Sequence, residues 1–220
     1  MTYEYYDEEV DQSFLLPLND SVIDCIDHYG YAIVKKLGSG AQKTVFKAID
    51  KQGRGYALLI PREKDDISLG KQMDQLSLVQ GKGLLTDMTK IYPPILCPHY
   101  RIEVVELIDI SLAEKIIELY HKDDFNEKVR FIKLIDSQLW HIMERLRQGG
   151  YMYTDLKVDN MGLIGDRVVL IDIDSARPYD NSYGYNKNKH DVFIDRLTDV
   201  FTPPDEESIK YNLRLCNWPR

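Results

Sequence analysis

Four side chains in the second half of the sequence have types and spacing that suit phosphoryl transfer. Segment 153–160 reads Tyr-Thr-Asp-Leu-Lys-Val-Asp-Asn, and Asp172 follows Asn160 by twelve positions. Phosphoryl transfer needs metal ions held against phosphates, a carboxylate oriented on the attacking hydroxyl and a cation facing the developing charge. Asp155, Lys157, Asn160 and Asp172 can supply these groups if the fold brings them together. The alternative is a solvated hairpin that carries these side chains by chance.

A glycine-rich loop in the first half of the sequence is a second candidate site. Residues 38–45 read Gly-Ser-Gly-Ala-Gln-Lys-Thr-Val and lie between two predicted strands. Small residues let backbone N–H groups approach phosphates closely, and Lys43 would add a cation. Alone, such a pattern is more often only a β-hairpin, in which Lys43 would be a solvated loop residue.

Hydrophobic periodicity predicts the elements that must position these two sites. Alternating apolar residues predict a three-strand meander over about 31–60, further strands near 95–97 and 102–107, and a hairpin over 161–172 that turns at Gly165. Helical spacing predicts a short helix after Asn19 and helices over 67–80, about 111–120, about 126–148, 191–201 and near 206–215. Ser111 and Glu114 form a capping-box pattern at the start of one helix. Gly70 lies inside the 67–80 helix, where glycine is unfavourable.

The Asp-x-Lys-x-x-Asn spacing and the aspartate after the hairpin resemble the catalytic-loop and Asp-Phe-Gly elements of protein kinases. The resemblance implies an enzyme that uses ATP and Mg²⁺. Asp155 would accept a proton from the substrate hydroxyl or orient it, and Lys157 would contact the γ-phosphate. Asn160 and Asp172 would hold magnesium. Retention of Lys157 implies that serine or threonine is the acceptor.

The sequence also departs from the kinase pattern at three places. The residues before Asp155 are Tyr153-Thr154 where the family has His-Arg, and Asp172 is followed by Ile-Asp where the family has Phe-Gly. Loss of the arginine argues against activation by a phosphorylated loop. Leu59 stands where the family's strand lysine is expected.

Lys43 offers a replacement for that strand lysine. With-No-Lysine kinases also place their lysine in Gly-x-Gly-x-x-Lys-Thr-Val, so we expect Lys43 to contact the ATP phosphates, with Lys47, Arg62 and Lys64 as other candidates. Asp74, the acid at the centre of the 67–80 helix, is the candidate carboxylate partner, although its side chain is short. The nucleotide-binding positions that the resemblance implies are Gly38, Ser39, Gly40, Lys43, Val45, Ala57, Glu106 and Ile108, the last two near the segment that would pair with adenine.

By the same resemblance the fold is α+β, a two-lobed protein kinase-like fold with a truncated C-lobe. Residues 1–29 would form an acidic leader with a short helix, residues 30–107 the N-lobe and residues 108–220 the reduced C-lobe. No Ala-Pro-Glu motif follows Asp172. Chains this short resemble the minimal kinase effectors that bacteria inject into host cells, of the OspG and chaperone-phosphorylating HopBF classes, and the reduced kinases of large viruses. The protein substrate would then be a host chaperone or a ubiquitin-pathway protein.

Two rival functions stay open. A pseudokinase would keep the shape and use its surface to hold a partner. The altered Tyr153-Thr154 and Ile173-Asp174 pairs favour it, whereas the four retained site residues oppose it. A small-molecule phosphotransferase is the other rival, because its acceptor needs no peptide groove.

Composition and charge argue against several further classes. The 220-residue chain is 44% hydrophobic and 29% charged, which is typical of a folded protein. Its net charge of −8 argues against nucleic acid as a partner, and its apolar runs are too short to cross a membrane. Three widely spaced cysteines suggest neither a disulfide framework nor a zinc site, and the five histidines lack ligand spacing. We therefore expect a cytoplasmic protein, with delivery into a host cell as an extension of the effector hypothesis.

Overall fold

The computed structural model describes residues 18–40, 42–63, 68–172, 175–179 and 187–201. These residues form five α-helices and ten strands, which confirms the predicted α+β class. The chain divides into two compact units. The first holds the described residues up to 77 together with 90–107, and the second holds 78–89 and the described residues from 108 onward. The assignment of these units to kinase lobes stays a prediction.

The first unit is built on a five-stranded antiparallel sheet with the strand order β1-β2-β3-β5-β4. Its strands are β1 (Tyr31–Ser39), β2 (Lys43–Asp50), β3 (Gly55–Pro61), β4 (Ile91–Cys97) and β5 (Tyr100–Glu106). The predicted meander is β1 to β3. Its second turn closes because the Asp50 carboxylate accepts hydrogen bonds from the N–H groups of Gln52 and Arg54, each at 2.9 Å. Gly53 adopts a φ of +76°, which glycine reaches without strain.

Helix α1 (Asp20–His28) is part of the core of the first unit. Asn19 caps the helix, because its side-chain oxygen accepts a hydrogen bond from the Val22 N–H at 3.0 Å. Val22 and Ile26 are buried in one apolar cluster with residues of four strands, namely Phe46, Ala48, Tyr56, Leu58, Ile60, Ile95, Ile102 and Val104. The strand residues of this cluster alternate along β2, β3 and β5, so they share one face of the sheet.

A disulfide joins α1 to the end of β4, although the spacing of the three cysteines suggested no disulfide framework. Cys25 and Cys97 are bonded with their Cα atoms 5.9 Å apart, and 72 positions separate them in the sequence. The sequence spacing could not reveal this pair because the docking of α1 against the sheet brings the two residues together. Cys216 lies outside the described residues.

Helix α2 (Ser68–Gly81) begins in the first unit and is tied to the sheet by Arg101. The Arg101 guanidinium donates to both carboxylate oxygens of Asp74, at 2.5 and 3.0 Å, and its Nε donates to Glu103 at 2.6 Å. A Cβ added at Gly70 would lie 2.7 Å from the Arg101 Cδ. Gly70 is unfavourable for helix formation, but the absence of a side chain there leaves space for the Arg101 side chain, which packs against the helix at this residue.

The second unit combines three helices with short strands. Its helices are α3 (Leu112–Tyr120), α4 (Phe125–Gln148) and α5 (Lys187–Val200), and its strands are β6 (Ile110–Ser111), β7 (Tyr151–Tyr153), β8 (Met161–Ile164), β9 (Arg167–Leu170) and β10 (Ala176–Pro178). The strands form one sheet in the order β6-β8-β9 and a β7-β10 pair. The predicted capping box is confirmed, because Ser111 and Glu114 each accept a hydrogen bond from the other's backbone N–H.

The long helix and the hairpin that the sequence predicts are also present. Helix α4 buries one stripe of side chains, consisting of Phe131, Ile135, Leu139, Ile142, Met143 and Leu146. Strands β8 and β9 pair across a turn in which Gly165 has a φ of +58°. The short strands β6, β7 and β10 were not predicted, and the helix predicted near 206–215 lies outside the described residues. Within the described ranges, no helix has the length and apolar character needed to cross a membrane.

Candidate active site

The segment that connects β7 to β8 carries three of the four predicted catalytic residues. Asp155 follows β7, and Val158–Asn160 forms a 3-10 turn that the Asn160 N–H closes on the Lys157 carbonyl at 3.0 Å. Asp172 follows β9, the strand that pairs with β8. The Ile171 N–H donates to the Asn160 carbonyl at 3.0 Å, which holds the chain after β9 beside the end of the turn.

These connections bring Asp155, Lys157, Asn160 and Asp172 to one place. The Asn160 side-chain nitrogen donates to the Asp155 carboxylate at 2.9 Å and to its carbonyl at 2.9 Å, and it lies 3.5 Å from the Asp172 carboxylate. The Lys157 ammonium forms an ion pair with Asp155 at 2.7 Å. One amide thus links two carboxylates, and a cation neutralises one of them.

A second set of hydrogen bonds, which no sequence pattern predicted, supports this group. The Ser175 hydroxyl donates to the Asp172 carboxylate at 2.6 Å, and the Ser175 N–H donates to the Asp172 carbonyl at 3.0 Å. The Thr154 N–H and hydroxyl both donate to the Ser175 carbonyl at 3.0 Å. The Tyr153 hydroxyl donates to the Asn160 carbonyl at 3.4 Å. The two residues that replace the kinase His-Arg pair therefore have structural partners here.

The donor atoms of this group fit a hard divalent cation. Asp155, Asn160 and Asp172 offer carboxylate and amide oxygens, and Mg²⁺ is usually held by one or two carboxylates together with substrate phosphates. In the part of the chain that the structure describes, no cluster of three or more His, Cys, Asp or Glu side chains could hold a metal by itself. Two carboxylates and one amide oxygen form a donor set that Mg²⁺ can accept when phosphate oxygens complete its coordination.

Hydrogen bonds join the two strand ends that flank the glycine loop of the first unit. The Gly40 N–H donates to the Lys43 carbonyl at 2.9 Å, and the hydroxyls of Ser39 and Thr44 are 3.1 Å apart. Arg62 donates to the Ser39 hydroxyl at 2.7 Å. The loop is thus held at both strand ends by short polar contacts. Ala41 lies outside the described residues, as does Lys64, one of the alternative lysines.

The two glycines of this loop are not explained by protein packing. Among the described residues, nothing lies within 4 Å of a Cβ added at Gly38, and the nearest atom to one added at Gly40 is the Lys43 carbonyl oxygen at 3.8 Å. Neither glycine has a positive φ. Both leave open backbone of the kind that phosphate-binding loops present.

Three predicted nucleotide-binding residues lie on one face of the sheet. Val45 pairs with Leu59, and Lys43, two residues before Val45, has the same orientation because side chains alternate along a strand. Ala57 is two residues before Leu59 and is buried on that face. Lys47, an alternative lysine, pairs with Ala57 and also lies there.

The remaining predicted binding residues have contacts within their own units. The Glu106 N–H donates to the Lys90 carbonyl at 2.8 Å, so it is not available to an adenine base. In the second unit, Ile108 packs against Gly162, where an added Cβ would lie 2.6 Å from the Ile108 Cδ1. Asp74 uses both carboxylate oxygens to bind Arg101.

Burial raises the pKa of one carboxyl group in each unit. Burial raises the pKa of Glu103, which is 1% exposed, although the hydrogen bond from Arg101 lowers it. In the second unit, burial raises the pKa of Asp87, against the lowering effect of Arg145, which donates to it at 2.5 Å. Both acids are more easily protonated than exposed ones.

Comparison with known proteins supports a protein-kinase-like relationship. No family model matches the chain. The chain is similar to a probable serine/threonine-protein kinase of Dictyostelium discoideum, with 29% identity over 152 residues. The matched segment is 67% of this chain but 28% of that protein, so the chain spans little more than a quarter of its relative's length.

Proposed function

We propose that the chain is a minimal serine/threonine protein kinase that transfers the γ-phosphate of ATP to a protein hydroxyl. The observation that carries the proposal is the Asn160 amide, which hydrogen-bonds Asp155 and lies 3.5 Å from the Asp172 carboxylate. Two carboxylates, an amide and the Lys157 ammonium are the groups that phosphoryl transfer requires. The similarity to a probable serine/threonine-protein kinase supports the same class.

Each residue of this group has a role in the proposal. Asp155 orients the acceptor hydroxyl and receives its proton, and Lys157 neutralises charge on the γ-phosphate. Asn160 and Asp172 hold Mg²⁺, which would neutralise negative charge on the phosphates when bound. The Ser175 hydroxyl donates to the Asp172 carboxylate and restricts its orientation.

The glycine loop and Lys43 bind the phosphates of ATP in this proposal. Two observations support it. Gly38 and Gly40 leave backbone open that packing does not require, and Lys43 shares its sheet face with Val45 and Ala57. Because residue 59 is a leucine, the positively charged side chain that contacts the phosphates must come from another position, and the adjacent strand supplies Lys43.

A pseudokinase is the main rival, and the hydrogen bonds oppose it. A binding module has no need for two buried or half-buried carboxylates linked by an amide, since keeping such charges close together costs free energy. Thr154 and Tyr153 support the group through hydrogen bonds, so their departure from His-Arg does not by itself imply loss of activity. The effector role and the host partners stay predictions.

Transfer of radiolabelled γ-phosphate in the presence of magnesium tests the proposal. Wild type should label itself or a general acceptor protein, and Asp155→Asn should lower the rate by about 100-fold or more, as expected for loss of a general base. Asp159→Asn, an exposed aspartate of the same segment, is the matched control and should retain activity. Lys43→Ala should also lose activity, whereas Lys43→Ala with wild-type activity would remove the lysine assignment and keep the kinase proposal.

The rivals give different patterns in the same assay. A pseudokinase incorporates no phosphate in wild type, Asp155→Asn or Leu59→Lys. A small-molecule phosphotransferase consumes ATP with a small hydroxyl compound and labels no protein. Labelling of protein that is equal in wild type and Asp155→Asn contradicts the proposed role of the aspartate.

A further inference from the structure

Among the residues that the structure describes, Glu103 has a buried carboxylate oxygen without a hydrogen-bond partner. The side chain is 1% exposed, and its Oε1 accepts a hydrogen bond from the Arg101 Nε at 2.6 Å. Its Oε2 is buried, and no group within the described ranges hydrogen-bonds to it. A buried polar atom left unpaired costs free energy, so a native protein seldom keeps one without a use.

The register of three strands places this oxygen on the face that carries Lys43. Glu103 of β5 pairs with Leu59 of β3, and Leu59 pairs with Val45 of β2, without an irregularity in either ladder. Lys43 is two residues before Val45 and so has the same orientation. The Cα atoms of Lys43 and Glu103 lie about 12 Å apart, because they are separated by two inter-strand spacings across the sheet and by two residues along the strand. The two side chains, when extended, are long enough together to meet across that distance.

Asp74, the acid on α2 that also contacts Arg101, is already paired. Asp74 accepts hydrogen bonds from Arg101 on both of its oxygens, and its side chain is 59% exposed. Arg101 donates to Oε1 of Glu103 and holds that side chain in place, whereas Oε2 has no hydrogen-bond partner among the described residues. Leu59, the residue between them in the register, offers no charge.

We propose that Glu103 is a positioning residue whose Oε2 receives the Lys43 ammonium and holds it on the phosphates of ATP. The inference rests on the proposed function and names the acid that the phosphate lysine needs. A lysine on a flexible four-carbon stem loses rotamer entropy when it binds a phosphate, and a fixed carboxylate beside it reduces that loss. Arg101 fixes the carboxylate, and the carboxylate fixes the lysine.

A double-mutant cycle tests the coupling between the two residues. The variants are Glu103→Gln, Lys43→Met and the double variant, each measured for kcat and for KM of Mg·ATP. Glutamine keeps the oxygen that Arg101 uses and removes the charge. We expect Glu103→Gln to raise KM about tenfold, and we expect the double variant to be no worse than Lys43→Met alone, because the acid acts only through the lysine. The proposal would be overturned if the fold losses of the two single variants multiplied in the double variant.

A lysine moved to position 59 gives an independent test. Leu59 is directly opposite Glu103, so Lys43→Met/Leu59→Lys should regain at least tenfold in kcat/KM over Lys43→Met. The gain should vanish when Glu103→Gln is added. A gain that survives without the carboxylate would contradict the proposal.

Two controls separate a structural effect from the proposed one. Thermal unfolding of each variant shows whether the fold is retained, and Glu144→Gln, at a half-buried glutamate on α4 in the second unit, should leave KM unchanged. A KM that rises equally in Glu144→Gln would overturn the inference. If wild type neither binds ATP nor transfers phosphate, the proposed function fails and this inference falls with it. If wild type is active and the cycle is multiplicative, only this inference fails.

Discussion

Removal of the Cys25–Cys97 disulfide should lower the free energy of unfolding by several kcal/mol. The bond closes a loop across 72 sequence positions. Loop-closure entropy for that length corresponds to about 4 kcal/mol at 25 °C, because the crosslink restricts the unfolded chain. With a urea m-value of about 2 kcal/mol/M, the unfolding midpoint should fall by about 2 M.

Urea unfolding followed by circular dichroism measures this shift. All proteins would carry Cys216→Ser, so that Cys25 and Cys97 are the only thiols and one disulfide is possible. The variants Cys25→Ser, Cys97→Ser and the double variant should have the same midpoint, since each removes the same crosslink. Dithiothreitol should lower the midpoint of the parent to that value and leave the variants unchanged.

Two results would refute the reasoning. A double variant within about 1 kcal/mol of the parent would show that the crosslink does not act on the unfolded chain as the entropy argument requires. Single variants whose losses add in the double variant would show that the serines disturb α1 and β4 separately. Thiol titration of the unfolded parent, with and without reductant, shows whether the bond was present at the start.

Three further predictions concern other contacts. Gly70→Ala should destabilise the protein by about 1–3 kcal/mol because its Cβ would meet Arg101, whereas Gly81→Ala in the same helix should be neutral or stabilising, as thermal melts will show. Ser175→Ala should lower γ-phosphate transfer about tenfold at saturating magnesium, as loss of one hydrogen bond to a carboxylate implies, and unchanged turnover would contradict this. Asp87 has a raised pKa in the folded state, so wild type loses stability as pH rises through that value. The melting temperature of Asp87→Asn relative to wild type should therefore rise from about pH 4 to about pH 7, and a constant difference would contradict the assignment.

The elements that the sequence predicts best are those whose pattern is long or whose signal is local. Helix α4 has an apolar stripe over 24 residues, and the capping box at Ser111 involves residues three apart. The β8–β9 hairpin has a turn glycine and two apolar runs. Each of these signals lies within one stretch of sequence, so no knowledge of distant contacts is needed.

The features that the sequence misses depend on contacts between distant residues. The Cys25–Cys97 bond needs the docking of α1 against β4, and Gly70 is explained only by Arg101, which lies on a strand beyond the helix. Ser175 is three residues from Asp172, yet its hydrogen bond depends on how the chain turns between them. Strands of two or three residues, such as β6 and β7, are too short for a period to show.

Glu103 is a case in which the sequence contained a usable signal. It is an acid between the apolar residues Ile102 and Val104 of β5, and alternation alone assigns it to the opposite face from them. A charged residue at an inward position of a strand is unusual enough to mark for closer study. What the sequence could not show is that one of its oxygens is held by Arg101 while the other is not.

The tie between Arg101 and α2 bears on how the protein could be regulated. It lies wholly inside the first unit, where Arg101 of β5 binds Asp74 of α2. Shifting a helix from almost fully docked to almost fully displaced costs about 5.5 kcal/mol of free energy, and loss of the guanidinium–carboxylate pair is part of that cost. A regulator that displaced this helix would have to supply that free energy from its own binding. Substitution of Arg101 would lower that cost, so α2 would be displaced more easily in such a variant.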